Sequence, residues 1–292
     1  MSKILITGSN GQLGSELKDI AALHTGNEYL FTDLKELDIA NKEEVLAYMQ
    51  EHKPEYIINC AAYTAVDRAE EEEGIAHVIN AKAPAFLAEA ARTINAKFIH
   101  ISTDYVFDGK AYAPYTEDMK TNPTSVYGRT KLDGEVFAHN AYTETIIIRT
   151  SWLYSQYGNN FVKTMIKLGR ERESLGVIFD QVGTPTNAKD LAEAIFAIIE
   201  KSIKDTAAFV PGIYHYSNEG VCSWYDFAIQ IHEYAKIECN VRPLLSIEYP
   251  TAAPRPHYSV LDKSKIKKTF EISVPYWKKS LLECIISLNL QN

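Results

Sequence analysis

The chain lacks long apolar runs, clustered cysteines and an excess of basic residues. No apolar stretch approaches the roughly 18 residues that a helix needs to cross a bilayer, so no membrane partner is predicted. A formal net charge of −8 leaves no basic surface for phosphates, which argues against a nucleic-acid partner. The cysteines form no Cys-x-x-Cys pair, and the N-terminus leads directly into an apolar strand rather than a signal peptide. We therefore expect a cytoplasmic protein with reduced thiols.

Short apolar segments alternate with helix-length amphipathic segments over residues 1–154. Strands are predicted at 4–7, 29–32, 56–60, 98–102 and 145–149, and helices at 12–22, 42–52, 74–94 and 124–139. This order predicts an α/β fold, a Rossmann-type doubly wound parallel sheet with helices on both faces.

Beyond residue 154 the alternation loosens, and proline-containing loops separate shorter elements. Helices are still predicted at 161–170, 189–201 and 223–234. We expect residues 1–154 to form a dinucleotide-binding domain to which residues 180–202 return. Residues 155–179 and 203–292 are expected to form a smaller C-terminal substrate-binding lobe beside the sheet.

A glycine-rich loop follows the first predicted strand and opens the first predicted helix. Its spacing, Gly8-x-x-Gly11-x-x-Gly14, lets the backbone approach a pyrophosphate while the helix N-terminus supplies N–H donors. Asp33 ends the second predicted strand, where a carboxylate can bind the adenosine ribose and would repel a 2′-phosphate. This favours NADH, but Lys35 is close enough to soften the preference, so NADH and NADPH both remain open.

Tyr127 and Lys131 lie four residues apart on the predicted helix before the fifth strand. They share one helix face, so the lysine charge can stabilise the phenolate and lower the pKa of the tyrosine. Such a tyrosine can act as a general acid beside a carbonyl oxygen, and the hydroxyl of Ser102 or Thr103 can polarise the same oxygen. With the glycine loop, this pair predicts hydride transfer to a ketone.

Several segments carry a wider resemblance. They read TGSNGQLG at 7–14, AAYTAVDRAE at 61–70, STDYVFDG at 102–109, RTSWLY at 149–154, DQVGTPT at 180–186 and RPHYSVLD at 255–262. Together with Tyr127 and Lys131 they resemble the extended short-chain dehydrogenase/reductases and, within that family, the dTDP-4-dehydrorhamnose reductases.

That resemblance implies reduction of the C4 ketone of dTDP-4-dehydro-β-L-rhamnose to give dTDP-L-rhamnose. Tyr127 would donate the proton, Lys131 would tune it and Thr103 would assist. Cofactor contacts are implied for Gly8, Gly11, Gln12, Leu13, Gly14, Asp33, Asp38, Ile39, Ala61, Ala62, Tyr63, Tyr127 and Lys131. Sugar contacts are implied for Thr103, Asp104 and Trp152.

Two of the substrate residues have alternative interpretations. Trp152 can pack against the deoxysugar face or belong to the core. Arg255 lies between two prolines in a late loop, and it can meet the substrate diphosphate bidentately or form an ordinary surface pair.

Some members of the family hold Mg²⁺ between carboxylates at a dimer interface. Glu16 follows the glycine loop and Asp190 lies further along the chain, but Lys189 brings a positive charge beside them. Hard cations need several oxygen ligands and few competing charges. We therefore predict no tight Mg²⁺ site, and any homodimer is expected to form without a metal bridge.

Two other functions remain open. One is a different nucleotide-sugar reductase or epimerase on the same scaffold. The other is a non-catalytic regulatory subunit like those of methionine adenosyltransferase, which resemble this family. The presence of Thr103, Tyr127 and Lys131 argues for catalysis, and a turnover assay separates the alternatives.

Overall fold

The structure, a computed structural model, describes residues 1–290. The strands within these residues are β1 (Lys3–Thr7), β2 (Glu28–Thr32), β3 (Tyr56–Asn59), β4 (Lys97–Thr103), β5 (Thr145–Thr150), β6 (Leu153–Tyr154), β7 (Ser174–Ile178), β8 (Val182–Gly183), β9 (Thr186–Asn187), β10 (Gly212–Tyr216), β11 (Cys222–Ser223) and β12 (Asn240–Leu244). The α-helices are α1 (Gln12–Ala21), α2 (Lys42–His52), α3 (Val66–Ala69), α4 (Glu73–His77), α5 (Ala83–Thr93), α6 (Val126–Ala141), α7 (Phe161–Glu171), α8 (Ala188–Lys204), α9 (Trp224–Ala235), α10 (Ser264–Phe270) and α11 (Trp277–Leu290). In this part of the chain, none of the helices combines the length and apolarity that a membrane crossing requires.

The main sheet has six parallel strands in the order β10-β5-β4-β3-β1-β2. The chain runs outward from β1 to β2 and then returns to place β3 on the other side of β1. In open α/β sheets, ligands bind beyond the carboxyl ends of the strands at such a reversal. The predicted Rossmann-type doubly wound sheet is confirmed, and its reversal between β1 and β3 fixes where a cleft is expected.

Helices cover both faces of this sheet. Ile4 and Ile6 of β1 pack in one layer with α1, α8 and α10, whereas Leu5 packs in the other layer with α2 and α5. Successive strand side chains point to opposite faces, so each strand supplies both cores and reads as a continuous apolar run. The predicted helix at 74–94 is divided by a π-helical turn, Val78–Lys82, just before Pro84, which has no backbone N–H to donate.

A smaller core lies beside the sheet layers and forms the lobe. Helices α7, α9 and α11 pack with the parallel pair β7 and β12 around Phe227 and Trp277. Helix α9 begins with a capping box, in which Ser223 and Asp226 each satisfy the other's backbone N–H. This cap fixes the first turn of α9, which carries Trp224.

The expected division of the chain differs from the structure at β10 and at α10, which packs in the layer of α1 and α8. β10 lies within residues 203–292, which the sequence analysis assigns to the lobe, but it pairs with β5 in the main sheet. Tyr214 and Tyr216 are buried there, and their hydroxyls donate to the carbonyl oxygens of Val210 and Asp190, each at 2.9 Å. Because these hydroxyls have hydrogen-bond partners, a strand of alternating tyrosine and histidine can lie in a core. Its sequence does not read as an apolar run, so the buried strand could not be recognised from the sequence.

Candidate active site

A cleft of about 1220 Å³ opens at the carboxyl ends of β1, β3, β4 and β5. Most residues that the sequence analysis assigns to cofactor or substrate line it: Gly8, Gly11, Gln12, Leu13, Gly14, Asp33, Asp38, Ile39, Ala61, Ala62, Thr103, Asp104, Tyr127, Lys131 and Trp152. Tyr63 and Arg255 are outside this lining. Tyr63 nevertheless packs in the same small cluster as Tyr127.

The loop after β1 owes its shape to its glycines. A Cβ at Gly14 would lie 2.4 Å from the carbonyl oxygen of Gly8, and Gly8 itself has φ +63° with the Ala61 backbone 2.6 Å from its Cβ position. Gly11 is the N-cap of α1, and within residues 1–290 no side chain caps that helix end. Uncapped N–H groups and the positive end of the helix dipole therefore face the cleft, which fits a dinucleotide pyrophosphate.

Two carboxylates line the end of the cleft beside β2, where the sequence analysis expects the adenosine of the cofactor. The carboxylate of Asp33 accepts hydrogen bonds from the backbone N–H groups of Asn10 (3.0 Å) and Leu34 (2.9 Å), which ties the end of β2 to the glycine loop. Asp38 accepts from the N–H of Ala40 at 3.0 Å. Each carboxylate has further lone pairs, so both can accept from ribose hydroxyls without losing these bonds.

Tyr127 lies in the first turn of α6, where the N-cap Ser125 accepts a hydrogen bond from the Gly128 N–H at 3.1 Å. Its ring meets that of Tyr105 edge-on, with centroids 5.4 Å apart. Burial raises the pKa of Tyr127 to about 12, although a hydrogen bond with Thr103 lowers it. The sequence analysis expects Lys131 to lower this pKa, but that lowering is not found: burial dominates, and the other groups that shift it are Thr103 and Asp104. Tyr127 is therefore a neutral phenol near pH 7, the form that donates a proton.

Lys131 lies one helical turn further along α6 and is almost fully buried. Its ammonium donates to the carbonyl oxygen of Ile101, near the end of β4, at 2.6 Å. Burial lowers the pKa of Lys131 to about 8, and the negative charge of Glu135 opposes this effect. The ammonium is thus fixed at the base of the cleft and titrates close to neutral pH.

The two hydroxyls at the end of β4 have different partners. Ser102 Oγ donates to Glu135 Oε1 at 2.5 Å, on the side of α6. Thr103 Oγ1 donates to Asp104 Oδ1 at 3.0 Å and hydrogen-bonds with Tyr127. Of the two candidates, this geometry favours Thr103 as the hydroxyl beside the reacting oxygen.

Asp104 contributes a second acidic group beside Thr103. Its side chain is buried, and among the described residues its Oδ2 atom makes no hydrogen bond of standard geometry, although the Ser259 hydroxyl lies close enough to lower its pKa. Burial raises the pKa of Asp104 to about 7, although the hydrogen bond from Thr103 lowers it. Because Asp104 lines the cleft, its carboxyl group is suited to bind a sugar hydroxyl.

Trp152 is held by a residue that the sequence analysis missed. Its indole stacks on that of Trp224, with ring centroids 3.5 Å apart and planes 9° from parallel. Trp152 also has φ +48°, a left-handed conformation that a bulky residue rarely adopts. The lobe therefore fixes this ring at the mouth of the cleft. No local pattern relates positions 152 and 224, so no sequence signal could have identified Trp224.

Arg255 is engaged with the main domain. Its guanidinium contacts the Asp67 carboxylate at 2.7 Å, and the Ala253 N–H donates to the same carboxylate at 3.1 Å. These bonds hold the loop that carries Arg255 against α3. The loop leads to Tyr258, which forms an isolated β-bridge. Of the two interpretations of Arg255, the structure contains the side-chain pair, and a diphosphate would have to compete with Asp67.

The carboxylates considered for Mg²⁺ have partners of their own. Glu16 accepts from Ser155 Oγ at 2.5 Å, and Asp190 accepts from Asn218 Nδ2 at 2.5 Å. Burial raises the pKa of both groups. Across residues 1–290, no group of three or more His, Cys, Asp or Glu side chains is arranged to hold a metal. Glu16 and Asp190 as placed do not fit a tight Mg²⁺ site.

The chain is similar in sequence and fold to known proteins. Residues 2–290 match the family model described as the RmlD substrate binding domain. The dTDP-4-dehydrorhamnose reductase of Aggregatibacter actinomycetemcomitans is 43% identical over 288 residues, covering 96% of this chain and 97% of that protein. A crystal structure of a dTDP-4-dehydrorhamnose reductase from Clostridium acetobutylicum has 44% identity and TM-score 0.93, covering 98% of this chain and 99% of that one. The enzyme of that name from Bacillus anthracis, in complex with NADP, has 41% identity and TM-score 0.92, with the same coverage.

Proposed function

This chain belongs to the family of the RmlD substrate binding domain, and on that premise we propose that it is a nicotinamide-dependent dTDP-4-dehydrorhamnose reductase. It reduces the C4 ketone of dTDP-4-dehydro-β-L-rhamnose to the alcohol of dTDP-L-rhamnose, the last step in making that nucleotide sugar. The observation that carries the proposal is the meeting of Thr103, Tyr127 and Lys131 in one cleft with the glycine loop.

The reaction adds a hydride to the ketone carbon and a proton to its oxygen. The reduced nicotinamide, when bound, supplies the hydride. Tyr127 is a neutral phenol and gives its proton to the developing alkoxide, while the Thr103 hydroxyl hydrogen-bonds to the same oxygen. The Lys131 ammonium lies one helical turn from Tyr127, and its proposed role is to favour the phenolate that remains once the proton has left.

The glycine loop would hold the cofactor, and the uncapped N-terminus of α1 would offer its N–H groups to the pyrophosphate. Either NADH or NADPH can occupy this position, and the related Bacillus anthracis enzyme has been solved with NADP. Asp33 places a negative charge where a 2′-phosphate would lie, so we propose a preference for NADH that is modest.

The dTDP-sugar occupies the part of the cleft between Tyr127 and the lobe. The stacked indole of Trp152 offers an apolar face to the deoxysugar and its methyl group, and Asp104 offers a buried carboxyl to a sugar hydroxyl. The position of Arg255 beside Asp67 makes it a rim residue, able to reach the diphosphate if that pair opens. The chain is proposed to act as a monomer or a homodimer without a metal bridge.

Incubation of the purified protein with dTDP-4-dehydro-L-rhamnose and either NADH or NADPH tests the proposal. Loss of absorbance of the reduced nicotinamide, with dTDP-L-rhamnose as product, is the expected result. Turnover of other dTDP-4-ketosugars at a higher kcat/KM would instead indicate a different nucleotide-sugar reductase. Absence of turnover with both cofactors would support the regulatory, non-catalytic alternative.

A further inference from the structure

Helix α6 carries a third functional side chain on the face that holds Tyr127 and Lys131. Glu135 follows Lys131 by four residues, as Lys131 follows Tyr127, so the three side chains form a stripe along the helix. Glu135 is only 2% exposed. A buried carboxylate is costly unless it is paired, so its partners indicate what holds it there.

Two strands of the sheet hold the Glu135 carboxylate. Arg149 of β5 donates from Nε to Oε1 at 2.9 Å and from Nη2 to Oε2 at 2.7 Å, and both side chains are 3% exposed. Ser102 of β4 donates to Oε1 at 2.5 Å. Two parallel N–H bonds to one carboxylate fix its orientation. Ser102 directly precedes Thr103, so this clamp joins the helix of Tyr127 and Lys131 to the strand of Thr103.

Among the described neighbours of Lys131, Glu135 carries the negative charge that favours the ammonium form of the lysine. Two neighbours of Lys131 are the partly buried Cys60, just after β3, and the fully buried His100 of β4. Desolvation raises the pKa of Cys60 and lowers that of His100, so both are neutral at pH 7. Tyr127 is also neutral. Arg149 contacts Glu135 and also lies near His215. His215 is neutral because burial lowers the pKa of its imidazole to about 3.

We propose that Glu135, clamped by Arg149 and Ser102, is a positioning residue that keeps Lys131 in its ammonium form and in place beneath the reacting groups. The inference rests on the proposed reductase function and deepens it. A buried lysine without an anionic neighbour tends to lose its proton. Without Glu135, Lys131 would therefore lose its proton at a lower pH than in the wild type. A neutral lysine would no longer favour the phenolate of Tyr127, so the rate of reduction would also decline at a lower pH.

Two variants test the role through pH profiles. In the wild type, kcat/KM is expected to fall above about pH 8, as Lys131 deprotonates. Glu135→Gln removes the anion and leaves Arg149, so the fall should move to lower pH by about one unit. The double variant Glu135→Gln/Arg149→Met removes both buried charges together, which proteins often tolerate well. Its profile should move in the same direction by a smaller amount.

The matched control is Asp133→Asn, which removes one carboxylate from the same helix at a half-exposed position that pairs with His77. Its pH profile should equal that of the wild type. Glu135→Asp keeps the charge, so it should show the wild-type limb, meaning the fall of kcat/KM above about pH 8. If the double variant folds and has the wild-type limb, Glu135 serves only to neutralise Arg149 and the inference is wrong. A wild-type limb in Glu135→Gln overturns it equally.

Cofactor binding provides a readout that does not require turnover. The binding of NADH or NADPH, followed by quenching of tryptophan fluorescence, should weaken above about pH 8 in the wild type and about one unit lower in Glu135→Gln. If the wild type binds cofactor with this shift but reduces no dTDP-sugar, the proposed substrate fails while the role of Glu135 stands. If reduction occurs and neither profile moves, the role of Glu135 fails while the proposed function stands.

Discussion

The two walls of the cleft are built in different ways. The sheet wall carries the glycine loop after β1, Thr103 at the end of β4, and Tyr127 and Lys131 on α6, which are elements fixed largely by backbone hydrogen bonds. The lobe wall instead depends on side-chain contacts between distant parts of the chain, such as Trp152 on Trp224 and Arg255 on Asp67. Under the proposed function, the chemistry lies in the locally encoded wall and substrate selection lies in the wall assembled by tertiary contacts.

The largest effect is expected on the sheet wall, from Tyr127→Phe. Removing the general acid should lower kcat by about 10²–10⁴-fold while cofactor binding stays close to that of the wild type. Steady-state kinetics and a fluorescence titration measure the two quantities. The control is Tyr157→Phe, which removes a phenol hydroxyl outside the cleft lining and should leave kcat unchanged. A Tyr127 variant with more than about half of the wild-type activity would place the acid elsewhere.

Lys131→Met should reduce both cofactor binding and kcat, by about ten- to a hundredfold in kcat/KM. It removes the charge that favours the phenolate and the group that titrates near pH 8. The alkaline limb of the pH profile should therefore move to higher pH, the direction opposite to that of Glu135→Gln. Lys131→Arg keeps the charge and should retain an intermediate rate. Full activity with an unchanged profile would make Lys131 a structural residue.

The positions of Tyr127 and Lys131 in the cleft were predictable from the sequence because their signal is local. Glycine spacing after a strand, and tyrosine and lysine one turn apart, each restrict backbone and side chain within a few residues. β10 was placed wrongly because its tyrosines reach hydrogen-bond partners that only the folded core supplies. Trp224 and the pair of Glu135 with Arg149 were missed for the same reason, since their roles arise from contacts between separate elements.

On the lobe wall, Trp224→Ala should raise the KM for the dTDP-sugar by about two- to tenfold, the loss expected for one stacked aromatic pair. Trp152 would lose the ring that holds it in its left-handed conformation. Cofactor binding should not change, because Trp224 does not line the cleft. Trp224→Phe keeps an aromatic face and serves as the control, with thermal unfolding to verify the fold. Equal losses of cofactor and sugar affinity would contradict the proposed separation of the two walls.

A smaller effect is expected from Asp33→Ala at the adenosine end of the sheet wall. The wild type should prefer NADH modestly, and the variant should shift the ratio of kcat/KM values toward NADPH by a few fold, as repulsion of the 2′-phosphate is relieved. Asp33 also accepts from the Asn10 and Leu34 N–H groups, so some loss of NADH affinity should accompany the shift. A wild type that strongly prefers NADPH, with no gain in the variant, would remove this role from Asp33.

No effect is expected from removing Mg²⁺, and this prediction concerns the seam where the two walls join. A small pocket there is lined by Glu16 of α1, Lys189 of α8 and Glu283 of α11. The Lys189 ammonium competes with a cation, and Asp190 is already bonded to Asn218. Activity should therefore persist in EDTA, and light scattering should give the same mass with and without chelator. A dimer that dissociates on chelation and reforms with Mg²⁺ would assign Glu16, Asp190 and Glu283 to a metal shell, and would make the lobe wall depend on a second copy of the chain.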